Sequence, residues 1–135
     1  MRRALPLLAI LLAGCIAQAA PSHRLAGSEW RFTSIDGQAP ASDKAILAFD
    51  ADRLGVNVGC NGMGGAWNVE NGRLIAGPLV QTEMYCSGPV WNQEQAISAL
   101  LVAAPELVLD GDRLLLRSRG HFAELTRIAA AAEGS

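Results

Sequence analysis

Five cysteine and histidine side chains could bind a metal or carry nucleophilic chemistry: Cys15, Cys60, Cys86, His23 and His121. A zinc site would need Cys60, Cys86, His23 and His121 to converge. No two of them stand at the Cys-x-x-Cys or His-x-x-x-His spacing that places ligands together locally. A cysteine nucleophile with His121 as its base lacks any neighbouring feature that would lower the thiol pKa. The remaining candidate is Glu94, which falls among apolar residues on one side of a helical pattern. A carboxylate there needs hydrogen-bond donors, because an unpaired buried charge costs several kcal/mol. It is either a general base or ligand clamp, or a structural carboxylate receiving N–H groups from the glycine-rich turn after Cys60. No second acid, His or Ser stands at helical spacing from it, so an acid–base role lacks a partner for proton transfer.

Other patterns reduce to turns. Asn61-Gly62-Met63-Gly64-Gly65 invites a phosphate-loop reading, but no Lys-Ser/Thr follows and the next element reads as a strand. Tight-turn glycines are the expectation. Asp110-Gly111-Asp112 lacks the further ligands of a calcium loop and reads as a hairpin turn. Asp50 and Asp52 flank a turn and read as solvated. No cofactor and no metal are called for. Trp30, Trp67 and Trp91 come from different elements, and either core packing or a pocket suits them, Trp67 and Trp91 being the pair that would line a ligand pocket.

Short strands joined by turns must position these residues. The pattern predicts strands at Glu29 to Ile35, Ala45 to Phe49, Arg53 to Cys60, Ala66 to Glu70, Arg73 to Ala76, Leu107 to Leu109, Arg113 to Ser118 and His121 to Ile128. In the third, Leu54, Val56, Val58 and Cys60 share one face, while Gly55, Asn57 and Gly59 leave room for a close neighbour on the other. Asn71-Gly72 is a hairpin signal. One helix begins at Ser87 or Gly88, tolerates Pro89 in its first turn and ends before Pro105. Its apolar side carries Val90, Ile97, Leu101 and Ala104.

The N-terminus reads as an address. Arg2-Arg3, an apolar run over residues 4–14 and then small residues have the layout of a secretory signal. The run is shorter than the roughly 20 residues that span a bilayer as a helix. Leu12-Ala13-Gly14-Cys15 resembles a bacterial lipobox, which makes residues 1–14 a signal peptide and Cys15 the acylated first residue of the mature chain. Residues 15–24 are then a tether. Ile16, rather than Asp, follows the cysteine, so the expected address is the periplasmic face of the outer membrane, held by acyl chains. Cleavage after Ala17-Gln18-Ala19 would instead release a soluble periplasmic protein. With Cys15 lipidated, Cys60 and Cys86 remain as an even pair in an oxidising compartment, most simply a disulfide. Closing that loop is worth about 3.5 kcal/mol in the chain-entropy model.

The chain has 135 residues, enough for one domain and its leader. Leaving out Arg2 and Arg3 sets nine basic against 13 acidic side chains. Such an acidic domain is a poor nucleic-acid binder. The residues after Ala129 carry no pattern and read as a flexible tail, 129–135.

Leu25-Ala26-Gly27-Ser28-Glu29-Trp30, Gly59-Cys60-Asn61, Thr82-Glu83-Met84-Tyr85-Cys86, Glu94 and Gly111-Asp112-Arg113-Leu114 together resemble the META domain of HslJ-like bacterial proteins. The resemblance covers residues 25–128. It implies an α+β fold in which a curved antiparallel sheet, like a cracked barrel, wraps around a single helix. It also implies an envelope or secreted protein, often a lipoprotein, associated with heat shock, antibiotic tolerance and secretion, with no established catalysis. Gly59, Cys60, Asn61, Met84, Cys86 and Glu94 are carried over as signature positions. Tyr85 departs from the pattern, in which a small residue is commoner. The resulting expectation is a monomeric, non-enzymatic, lipid-anchored envelope domain whose protein or small-molecule partner is unnamed. The alternatives are a binder of small apolar ligands or lipids, and a secretion-associated chaperone.

Overall fold

Among the described residues, alternating apolar and polar side chains build nine strands, of which all but the shortest bury one face. They are β1 (Ser28–Ile35), β2 (Ile46–Phe49), β3 (Arg53–Asn57), β4 (Gly62–Glu70), β5 (Arg73–Ala76), β6 (Val80–Gln81), β7 (Glu106–Asp110), β8 (Arg113–Ser118) and β9 (His121–Arg127). Among the described residues two helices accompany them: α1 (Pro21–Leu25) and α2 (Pro89–Val102). This computed structural model describes Ala4 and residues 20–128. The signal segment, Cys15, the Ala17-Gln18-Ala19 site and the tail 129–135 lie outside the described residues.

All pairings are antiparallel, in the order β3-β2-β1-β9-β8-β7-β5-β4-β6. A further pairing of β3 with β4 joins the two ends, so eight strands close into a barrel and β6 is left as a flap on β4. Closure removes the open sheet edges that invite aggregation. β4 makes it possible because it serves two neighbours in succession on one edge. Trp67 to Glu70 pair with β5, and Met63 and Gly64 pair with β6, while Gly62 to Ala66 pair with β3 on the other edge. The narrowest junction is β5–β7, where Arg73 faces Glu106 between two backbone bonds, from Leu74 N–H to Pro105 and from Leu107 N–H to Gly72.

The glycines after Cys60 are strand residues, which corrects the expectation of a tight turn. Their smallness serves close approach: a Cβ on Gly65 would lie 2.6 Å from the carbonyl oxygen of Pro78, and one on Gly64 3.3 Å from that of Leu54. The expected two-residue hairpins do form, with Asn71 and Gly72 both at positive φ. The third expected strand stops at Asn57 instead of Cys60, although Val58 and Cys60 continue its buried face. Sequence periodicity follows the side chains; the hydrogen-bond ladder ends earlier, where Gly59 turns to φ +128.

Since β3 and β4 close the sheet, α2 is not needed to complete it. One face of α2 packs on β1, β5, β8 and β9, burying Gln93, Glu94, Ile97, Leu100 and Leu101. Asn92, Gln95 and Val102 face solvent. This differs from a sheet wrapped around a single helix, and α1 is a second, short helix within the expected tether. Leu25 at its end is fully buried, so the domain's packing begins there. The core holds Trp30, Phe49, Leu47, Leu74, Leu114, Leu116 and Leu125. Trp30 donates its indole N–H to Ser28 Oγ at 2.7 Å, and Ser28 Oγ in turn donates to Leu25 O. The Arg127 guanidinium lies 4.5 Å from the Trp30 ring centroid.

Gly59 is the most constrained glycine. A Cβ there would stand 2.5 Å from Val90 Cγ2 and 2.9 Å from Ser42 Cβ, at a φ that L side chains avoid. Gly59→Ala is expected to cost about 2 kcal/mol, from backbone strain and crowding. Gly62→Ala, with nothing near its would-be Cβ, should shift stability by less than about 1 kcal/mol. Urea midpoints of the two variants test the contrast; equal losses would refute it.

Candidate functional site

The turn between β3 and β4 gathers most of the signature positions. Asn57 Oδ1 accepts the Gly59 N–H at 2.7 Å and shapes the turn. Cys60 follows, joined by a disulfide to Cys86 across a Cα–Cα distance of 6.2 Å. Next comes Asn61, buried and fully used. Its backbone N–H donates to Glu94 Oε1 at 2.6 Å, and its side-chain amide donates to Glu94 Oε2 at 3.0 Å and to the Met84 carbonyl at 2.9 Å. Asn61 Oδ1 accepts from the Met84 N–H at 2.7 Å and the Thr82 hydroxyl at 2.9 Å. One side chain thus ties the β3–β4 turn, the segment 82–84 and helix α2 together.

Glu94 is completely buried, and both of its oxygens are engaged by the same asparagine. A carboxylate held this way clamps elements; among the described residues, the hydrogen bonds it accepts come from Asn61. Neighbouring Gln93 clamps a second loop, with its Oε1 accepting the Ala41 N–H at 2.7 Å and its Nε2 donating to the Ala39 carbonyl at 2.9 Å. Gln93 lies outside the apolar side of Val90, Ile97, Leu101 and Ala104 that the sequence marks, and no expectation attaches to it. A glutamine one position before a buried glutamate carries no local signal of its own.

The other candidates are dispersed. His121 Nδ1 lies 2.9 Å from Asp36 Oδ2, and Cys60 and Cys86 are consumed by their own bond. Among the described residues no cluster of three or more His, Cys, Asp or Glu side chains forms a metal site. Trp67 and Trp91 do not share a pocket. Trp67 packs edge-on against Phe49, centroids 4.9 Å apart, and donates its N–H to the Asp50 carbonyl at 3.1 Å. Trp91 stands beside Tyr85, centroids 5.6 Å apart, in a shallow groove of about 340 Å³ that Thr82, Glu83 and Met84 also line.

That groove shows what the Asn61 clamp displays. Val80, Met84 and Tyr85 are 75%, 57% and 84% exposed, and they crowd one short segment next to half-buried Trp91. The disulfide and Asn61 hold this segment against the barrel. Elsewhere on the surface, hydrogen bonding and the charge of Arg117 hold the Glu106 carboxyl below its ordinary range.

Replacing Asn61 with Ala leaves the backbone N–H on Glu94 Oε1 but removes the donor to Oε2, and is expected to cost about 3 kcal/mol because a buried charged oxygen loses its partner. Glu94→Gln keeps one acceptor and should cost about 1–3 kcal/mol. Adding Glu94→Leu to Asn61→Ala should recover part of the first loss, since the buried charge is then gone. Denaturant titration of the wild type, Asn61→Ala, Glu94→Leu and the double variant gives the coupling. Strictly additive losses would show that the pair does not act as a unit.

Two solved structures share this architecture. One, described as the NMR structure of a protein, is 23% identical, with a TM-score of 0.70 over 80% of this chain and 95% of its own. The other, from Burkholderia xenovorans, is 20% identical, with a TM-score of 0.63 over 87% of this chain and 97% of its own. At these identities the likeness shows the fold alone. A comparison with curated proteins gave no match. The family model described as the META domain matches residues 23–131, from within α1 past the end of β9. With the Gly59-Cys60-Asn61 turn, the Cys86 disulfide and the buried Glu94 in place, the chain belongs to the META domain family.

Proposed function

We propose that this META domain is a non-catalytic binding module of the cell envelope, anchored through acylated Cys15 at the periplasmic face of the outer membrane. Its ligand is an extended apolar segment of an unfolded envelope polypeptide. The observation that carries the reading is the exposure of Val80, Met84 and Tyr85 on a segment tied down by a disulfide and by Asn61. Large apolar side chains held rigid in water favour a partner that covers them. β6 ends the strand order with one edge unpaired, and an extended peptide can add to such an edge while its side chains meet flanking apolar groups. A chaperone-like role of this kind accords with the heat-shock, antibiotic-tolerance and secretion associations that the family resemblance implies. The engagement of both Glu94 oxygens supports binding over acid–base chemistry. A small apolar ligand has less support, because Trp67 is spent on packing against Phe49.

Two measurements test the proposal. Cys15→Ser is expected to abolish acylation and move the protein from the membrane to the soluble envelope fraction; a variant still acylated or membrane-bound would remove the anchor. For binding, a fluorescent ten-residue peptide of alternating Val and Thr should show saturable anisotropy. Tyr85→Ala is expected to weaken it by roughly tenfold, the size of effect expected on truncating an interface aromatic. Peptide binding indifferent to Tyr85→Ala would refute the site. Quenching of Trp91 by a dodecyl-chain ligand, with no peptide response, would favour the small-ligand alternative instead.

A further inference from the structure

Three strands place an Arg–Glu–Arg ladder across the narrow β5–β7 junction. Arg73 on β5 faces Glu106 on β7, which faces Arg117 on β8. Glu106 Oε2 accepts from Arg117 Nη2 at 2.9 Å and Nε at 3.3 Å, and Arg73 Nη2 lies 3.9 Å from Glu106 Oε1. Arg73 Nη1 also donates to the Ala104 carbonyl beyond the end of α2, at 3.0 Å. A third guanidinium, Arg119, comes from the β8–β9 turn and has no acidic partner among the described residues. Together with Ala103 and Ser118 these side chains line a groove of about 590 Å³. The groove carries three positive charges against one negative in a domain whose overall balance is acidic.

A single carboxylate is already supplied internally by Glu106, as the partner of Arg117. The remaining capacity, one guanidinium fork without an acidic partner among the described residues, with Arg73 and Arg117 shared, suits a group with several oxygens and more than one negative charge. We infer that the Arg73–Arg117–Arg119 groove is an anion site for a phosphate group, in which Glu106 is the internal competitor that the ligand displaces. It shares no lining residue with the Tyr85–Trp91 groove.

The competitor makes the test directional. With the purified full chain in non-ionic detergent, inorganic phosphate is titrated at constant ionic strength. The arginine Nε–Hε and Ser118 amide resonances are followed by NMR. Saturable shifts are expected. Arg119→Ala should weaken half-saturation by roughly tenfold, in line with loss of a charge-assisted hydrogen bond. Glu106→Gln should tighten it several-fold by removing the competitor. A second arm places the protein in phosphatidylcholine bicelles with and without phosphatidylglycerol. A response to inorganic phosphate assigns a soluble phosphate ligand, and an Arg119-dependent response to phosphatidylglycerol alone assigns a lipid headgroup. Shifts that never saturate in either arm, indifference to Arg119→Ala, or weakening by Glu106→Gln would each overturn the site.

Discussion

The bond pair between Asn61 and Glu94 is the constraint on which the other parts of the domain depend. A barrel of short strands fixes its own backbone through ladder hydrogen bonds, but nothing in a ladder tells a helix where to dock. Here the helix is docked by one fully buried carboxylate whose two oxygens meet the backbone and side chain of a single asparagine. A buried ion leaves little freedom, because each oxygen must find a donor or the charge becomes very costly. The same asparagine gives its second amide hydrogen to the Met84 carbonyl and its side-chain oxygen to the Met84 N–H and the Thr82 hydroxyl, and so holds the segment 82–84. Helix, turn and exposed segment are therefore set by one satisfied network, in which each member is partnered only while the others are in place.

The disulfide and the glycines support that network from opposite sides. Cys60 immediately precedes Asn61, so its bond to Cys86 limits how far the 82–86 segment can retreat from the turn. Gly59 immediately precedes Cys60 and lets Val90 of α2 approach to a distance that no side chain would permit. Three consecutive residues thus provide a close approach, a covalent tie and a polar clamp. Their chemistry is spent on holding three elements in register.

Much of this was legible in the sequence, for identifiable reasons. Strict alternation in Arg53 to Asn57 and Arg113 to Ser118, and the Asn71-Gly72 turn, are local signals that tertiary packing only confirms. The burial of Glu94 was readable as well, since a lone carboxylate in an apolar helical stripe demands donors. What escaped was decided by residues far apart in the chain. Gly64 and Gly65 read as turn residues because their smallness is explained only by Leu54 and Pro78, which come to lie against them. Closure through β3 and β4 has no local signature either. β6, two residues long, is too short for any periodicity. Trp67 and Trp91 looked equivalent as aromatic positions, and only the fold sends one into the core and the other to the rim.

The stabilising clamps and the exposed surface also stand in a definite relation. A flexible loop carrying Val80, Met84 and Tyr85 could fold those side chains back onto the barrel and hide them. Pinned at Gln81 by β4, at Thr82 and Met84 by Asn61, and at Cys86 by Cys60, the segment cannot do so without breaking several bonds at once. Exposure is then a consequence of rigidity rather than of looseness. Under the binding reading this matters energetically. A partner meeting a pre-ordered apolar surface loses only its own conformational freedom on association, whereas a mobile loop would add its own ordering cost. The interior network therefore supplies preorganisation to the surface, so a change at buried Glu94 is felt at Tyr85 although the two residues are not in contact through any hydrogen bond of their own.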